Sequence, residues 1–296
     1  MTTVRLTQNM MVNRSQSAMQ NALVRLADAQ EQVSSGKRIN RPSDSPTDTT
    51  SAMRLRGSLK ATEQYARNAG DGLGRLAVVD QTLFTVTDLV GRARELALQG
   101  ANTGSAGQSS RDALAAEVDQ IRDELLNQAN TQYLTRPVFG GVTAGAAAYD
   151  DDGSFVGVAG AITRRVGDDV NVRVDVDGQA VFGDGATSVF AELDALSTAL
   201  RAGDSAGLAT SLDALSDRAT TVSTMHATVG ATYKRIETAQ SGLVDRKLNL
   251  TTSLSNIEDI DLAEASIEVS MRQVAYQAAL AATAKTLQPS LMDFLR

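Results

Sequence analysis

Between residues 208 and 257 the chain repeats one spacing rule. Alternating steps of four and three residues connect Leu208, Leu212, Leu215, Ala219, Val222, His226, Val229, Tyr233, Ile236, Gln240, Leu243, Lys247, Leu250, Leu254 and Ile257, and twelve of these fifteen positions are apolar. A stripe with a period near 3.5, sustained over this length, has one stable solution: a continuous helix that buries the stripe against other helices. At 1.5 Å per residue it predicts a rod of roughly 75 Å.

Its partner lies earlier in the chain. Leu55, Leu59, Thr62, Ala66, Ala69, Leu73 and Leu76 form one stripe, which resumes after a three-residue step as Val79, Leu83, Val86, Val90, Ala93 and Ala97. Gly70, Gly72 and Gly74 interrupt it, each costing about 1 kcal/mol relative to Ala, so a bend or a close contact is expected there. The start of this helix is marked by Ser45 as cap, Pro46 at the first helical position and Asp48 completing a Ser-x-x-acid capping box. A turn-forming run, Gly100 to Ser110, precedes a third helix carrying Leu114, Val118, Ile121 and Leu125, which predicts a helical hairpin.

From Arg136 the period changes. Val170, Val172, Val174 and Val176 alternate with Asn171, Arg173 and Asp175, and Asp177-Gly178 predicts a two-residue turn into "QAVF". Residues 138–187 are therefore expected to be a small β-rich insert. A helix with Phe190, Leu193, Leu196 and Leu200 follows it.

The two ends read differently. Val12, Met19, Leu26 and Val33 fall every seventh residue, with Gln16, Leu23 and Gln30 in the intervening slots, a seam too polar to stabilise an isolated helix in water. The last segment is Ala-rich and places Leu280, Leu287, Leu291, Phe294 and Leu295 near the terminus, where fraying would expose them unless a neighbouring subunit covers them. Both ends are expected to order on assembly, with Val12, Met19, Leu23, Leu26, Val33, Leu280, Leu287, Leu291, Phe294 and Leu295 as the assembly interface. "SSGKRINRPSDSP" (34–46) is a hinge: Gly36 stops the first helix, Pro42 forbids its continuation, and Ser45, Pro46 and Asp48 restart the chain as a helix.

The expected architecture is mainly α, an elongated antiparallel coiled-coil bundle built from both ends of the chain with the β insert in its middle. Its parts are an N-terminal assembly helix (1–40), a helical rod (41–137 with 188–259), the insert (138–187) and a C-terminal assembly helix (260–296).

Chemistry finds little to work with. The chain has no cysteine and one histidine, His226, which removes thiol nucleophiles and leaves one imidazole on the long helical seam, where a structural role is expected. "SSGKR" lacks both the earlier glycine and the Ser or Thr of a phosphate loop, and Gly70-x-Gly72-x-Gly74 is not the dinucleotide fingerprint. The turns Asp150-Asp151-Asp152-Gly153 and Asp175-Val176-Asp177-Gly178 lack calcium-loop spacing. A formal net charge of -7 argues against nucleic acid or anionic lipid as partner. No stretch reaches the apolar length of a membrane span, and the N-terminus has no apolar core of a cleaved signal. No enzyme activity, cofactor or metal is expected.

Several motifs carry a family resemblance. "MMVNRSQSAMQNALVRLADAQEQVSSGKRINRPSDSP", "ARNAGDGL" (66–73) and "RARELALQGAN" (92–102) resemble the corresponding stretches of bacterial flagellin-like proteins. Met10-Met11, "GKRINRPSDSP" and the ending "LQPSLMDFLR" are similar to the hook-associated protein 3 type, which implies an adaptor at the hook-filament junction; Ser45 stands where that type commonly has Asp and "RNAGDGL" resembles flagellin, so a filament subunit is the alternative. The resemblance implies a structural subunit of the bacterial flagellum, secreted unfolded by the flagellar type III route. Its implied partners are a ring of identical subunits, the preceding hook-associated junction protein, flagellin, and an export chaperone bound to the C-terminal helix.

Overall fold

The computed structural model describes the backbone of residues 8–102 and 107–294 and the side chains of 10–102 and 107–285. The described residues are mainly helical: α1 Gln8–Ser35, α2 Pro46–Asn102, α3 Gln108–Ala129, α4 Gly178–Phe182, α5 Val189–Ala202, α6 Ser205–Glu258 and α7 Leu262–Phe294. Between α3 and α4 lie four short strands, β1 Gln132–Tyr133, β2 Arg136–Pro137, β3 Thr163–Gly167 and β4 Val170–Arg173, paired antiparallel as two small hairpins. The chain divides into two compact units, 62–246 and 1–61 with 247–296.

Helix α6 is the continuous helix that its spacing predicts, and within the first unit its heptad positions Leu208, Leu215, Val222, Val229 and Ile236 are buried. The intervening positions Leu212, Ala219 and His226 are only half-buried and Tyr233 is exposed, so one slot of the seam faces the core while the other lies along its edge. Leu76, Val79, Leu83, Val86 and Val90 of α2 are buried in the same apolar cluster as this stripe. Helix α3 packs on α5, where Ser197 donates to Asp119 at 2.5 Å and Arg122 pairs with Asp194 at 2.9 Å.

Gly72 and Gly74 mark where the insert meets α2. A Cβ at Gly72 would stand 3.0 Å from Val174 Cγ1, and one at Gly74 would stand 2.7 Å from Tyr133 Oη, so both are close-contact positions. Beside them Arg75 is buried and donates to the carbonyls of Pro137 and Val138. Burial pulls its pKa down, opposed chiefly by the charge of Asp175.

The insert is held less by its strands than by aromatic packing. Tyr149 meets Phe155, Phe182 and Phe190 edge-on with centroids 5.3 to 5.7 Å apart, and Phe139 meets Phe182 at 5.1 Å. Tyr149 also donates its hydroxyl to Gly183 O at 2.9 Å. The Asp177-Gly178 reading is corrected here: these residues do not turn into a strand. Asp177 caps α4 by accepting from the Gln179 amide, and "GQAVF" becomes a helical turn that buries Val181 and Phe182. The local side-chain cap competes with the hairpin, and burial of Val181 and Phe182 favours the cap. The hairpin lies one step earlier, where β3 pairs with β4 around Asp168 and Asp169.

Candidate assembly surface

In the second unit α1 packs antiparallel on α7, as the 2.8 Å contact of Ser15 Oγ with Thr283 Oγ1 and the antiparallel bridge of Lys37 with Asp259 show. On α1, Leu26 and Ala29 are buried, and Val12, Ser15, Met19, Ala22 and Val33 are half-buried. The heptad residues Val12, Met19, Leu26 and Val33 thus point at α7. The second slot is filled by Ser15, Ala22 and Ala29 rather than by Gln16, Leu23 and Gln30, and Leu23 is 49% exposed. Small side chains in that slot leave room for the mixed face that α7 presents, on which Ala265, Val269, Tyr276, Ala279 and Thr283 are half-buried.

The seam leaves apolar surface uncovered. Met10, Met11, Leu23 and Val24 on α1, and Leu262, Ile267, Met271, Val274 and Leu280 on α7, are exposed. Ile267, Met271 and Val274 follow a helical step of four and three, so α7 carries a second apolar stripe that no described residue covers. Between the helices, Val12, Gln16, Met19, Leu280, Thr283 and Ala284 line an open groove of about 400 Å³. Leu287, Leu291 and Phe294 belong to α7, but their side chains fall outside the described residues, as does Leu295 altogether.

The hinge has a defined geometry. Gly36, at φ +69°, ends α1 in the left-handed region. Asp44 accepts from the amides of Asn40 and Arg41 and fixes the connector turn, which holds its carboxyl below the usual range. Pro42 is exposed within that turn, Pro46 opens α2, and Ser45 accepts from the Asp48 amide at 3.4 Å. Asp48 turns its carboxylate to Arg38 at 3.1 Å.

The sequence reading missed the residue on which this joint centres. Glu258, the last residue of α6, has a side chain only 4% exposed and accepts from Lys37 and Arg56, each at 2.8 Å. Burial pushes its carboxyl up, but the hydrogen bonds from those two cations outweigh burial and hold it below the usual carboxylate range. Backbone pairing closes the joint: Arg38 N donates to Glu258 O at 2.6 Å and Ile260 N to Gly36 O at 3.2 Å. Arg38 also donates its guanidinium to Ile257 O, a cation on the C-terminal end of α6. The available signal was weak: an acidic run, Glu258, Asp259 and Asp261, beside the last seam position, Ile257, and basic residues concentrated in "GKRINR".

Among the described residues no chemical constellation accompanies this surface. His226 contacts Asp80 at 2.9 Å across α6 and α2. Among the described residues no group of three His, Asp or Glu could hold a metal ion, and no helix is long and apolar enough to cross a membrane.

Comparison with known proteins accounts for this arrangement. The bacterial flagellin N-terminal helical region matches residues 6–143, and the bacterial flagellin C-terminal helical region matches residues 212–295. The chain is 27% identical to flagellar hook-associated protein 3 of Escherichia coli, over 93% of this chain and 94% of the relative. It is also 27% identical to flagellin of Bacillus subtilis, over 87% and 88%. Among solved structures, FlgL of Bacillus cereus superposes with TM-score 0.60 at 24% identity, covering 68% of this chain and 99% of that one. A putative flagellar hook-associated protein from Vibrio parahaemolyticus superposes with TM-score 0.67 at 20% identity, covering 73% and 100%. With the two flagellin regions matched at either end, and curated flagellar proteins aligned along nearly the whole length, this chain belongs to the bacterial flagellin family of flagellar structural proteins.

Proposed function

We propose that this chain is the structural subunit that joins hook to filament in the bacterial flagellum, a reading supported by its relatives named flagellar hook-associated protein 3. The observation that carries this reading is the end-to-end match to those relatives, in a chain whose terminal helices pair and still leave an apolar stripe uncovered. Such a stripe is an interface waiting for other subunits. The partners are further copies of this chain in a ring, the preceding hook-associated protein, and flagellin. Export proceeds by the flagellar type III route, with a chaperone covering the C-terminal helix before secretion. The chain works by packing and catalyses nothing.

Deleting the gene tests the reading. Cells should carry hooks without filaments and shed flagellin into the medium; intact filaments on the deletion strain refute a junction role. The equal identity to Bacillus subtilis flagellin supports a second reading, a filament subunit. Purified filament subunit polymerises into long tubes by itself, whereas a junction subunit stops at short lengths or does not assemble.

A further inference from the structure

The β1–β2 hairpin has a two-residue loop, Leu134-Thr135, with φ of 48° and 66°. Both central residues are left-handed, a turn that favours Asn-Gly because most side chains are strained there, those branched at Cβ, such as threonine, most of all. Leucine and threonine occupy it instead, and Leu134 is 72% exposed, so the chain bears local strain to hold an aliphatic side chain in water. Strain kept at an exposed apolar tip marks a contact site. Arg136, next to the tip, is exposed and pairs with no carboxylate among the described residues.

A complementary surface lies in the same unit. Leu76, Val176, Met225 and Val229 floor an open groove of about 370 Å³, with Thr232 and Asp177 at its margin. Thr232 donates its hydroxyl to Thr228 O, which satisfies that group within α6. The groove's charge is net negative: Arg173 is bound by the buried carboxylate of Asp175, and Asp177 makes no salt bridge among the described residues. An apolar floor with an acidic margin fits a leucine followed by an arginine.

We propose that the Leu134-Thr135 tip is a docking peg that seats in the Leu76–Val229 groove of a second copy of this chain, with Arg136 facing Asp177. Tyr133 lies against Gly74 and the groove is floored by Leu76, so peg and groove stand at the same height of α2 on different faces. A contact between two different faces at one level is heterologous and links neighbours side by side, as a ring requires. The inference rests on the reading that copies of this chain assemble with one another.

The cysteine-free sequence makes a clean test. In flagella assembled from the full chain, oxidising L134C/T232C should give a ladder of covalent oligomers, while either single variant gives none. No ladder, or crosslinking by L134C alone, overturns the peg-in-groove contact. A second variant, L134N/T135G, relieves the strain: it should raise the melting temperature of the free chain by a few degrees and sharply reduce the fraction of cells with filaments. Unchanged stability, or normal filament assembly, overturns the proposal. A deletion strain that keeps its filaments refutes the junction role without affecting the ladder, so the two failures are distinguishable.

Discussion

Glu258→Ala is the most direct test of the joint between the terminal helix pair and the ends of α2 and α6. The side chain is buried and accepts two charge-assisted hydrogen bonds of 2.8 Å, from Lys37 and Arg56. Fully buried, such bonds contribute about 1.5–3 kcal/mol each. Here both cations are about half exposed and rehydrate when the carboxylate is lost, which reduces each bond to about 1 kcal/mol. The total, about 2 kcal/mol, corresponds to roughly thirtyfold in a local opening constant. The assay is residue-resolved amide exchange at Arg38 and Ile260, whose amides close the joint. Protection should fall by about that factor, with residues 62–246 unchanged. Equal protection at those amides in both proteins, or a loss spread evenly over 62–246, would refute the assignment. The same carboxyl predicts a pH dependence. Its folded pKa is depressed, so its contribution is present above the unfolded value of about 4.3 and is lost as pH falls through the folded value. The difference in protection between the wild-type chain and Glu258→Gln should therefore be full at neutral pH and shrink on acidification below about pH 4.

Tyr149→Phe removes the buried hydrogen bond to Gly183 O while keeping the ring contacts, and should lower stability in urea unfolding by about 1 kcal/mol; no change would mean the hydroxyl is solvated by other means. Removing residues 291–296 should leave the far-ultraviolet helical signal nearly unchanged and impair assembly, and loss of most of that signal would place the tail in the core of the fold.

What could be read from the sequence follows from the range of each interaction. The stripe from Leu208 to Ile257 determined a long helix by itself, because a period of 3.5 held over many turns is incompatible with a strand or an irregular chain. Gly36 and Pro46 bounded the hinge for equally local reasons, a left-handed stop and a helix start that need no partner. The family motifs at both ends were legible for the same reason. The tertiary structure decided which face of each helix has a neighbour. Spacing alone allowed Leu23 or Ala22 in the second slot of α1, and packing against α7, whose half-buried face carries Val269 and Tyr276, takes the small residue and leaves Leu23 outside. Asp177-Gly178 satisfies the local rules of a hairpin as well as those of a helix cap, and burial of Val181 and Phe182 among the aromatic side chains favours the cap. Glu258 meets Lys37 and Arg56 only after the chain has closed across some two hundred residues. No local pattern encodes that meeting, because the energy of a buried charge depends on which opposite charges the fold brings to it.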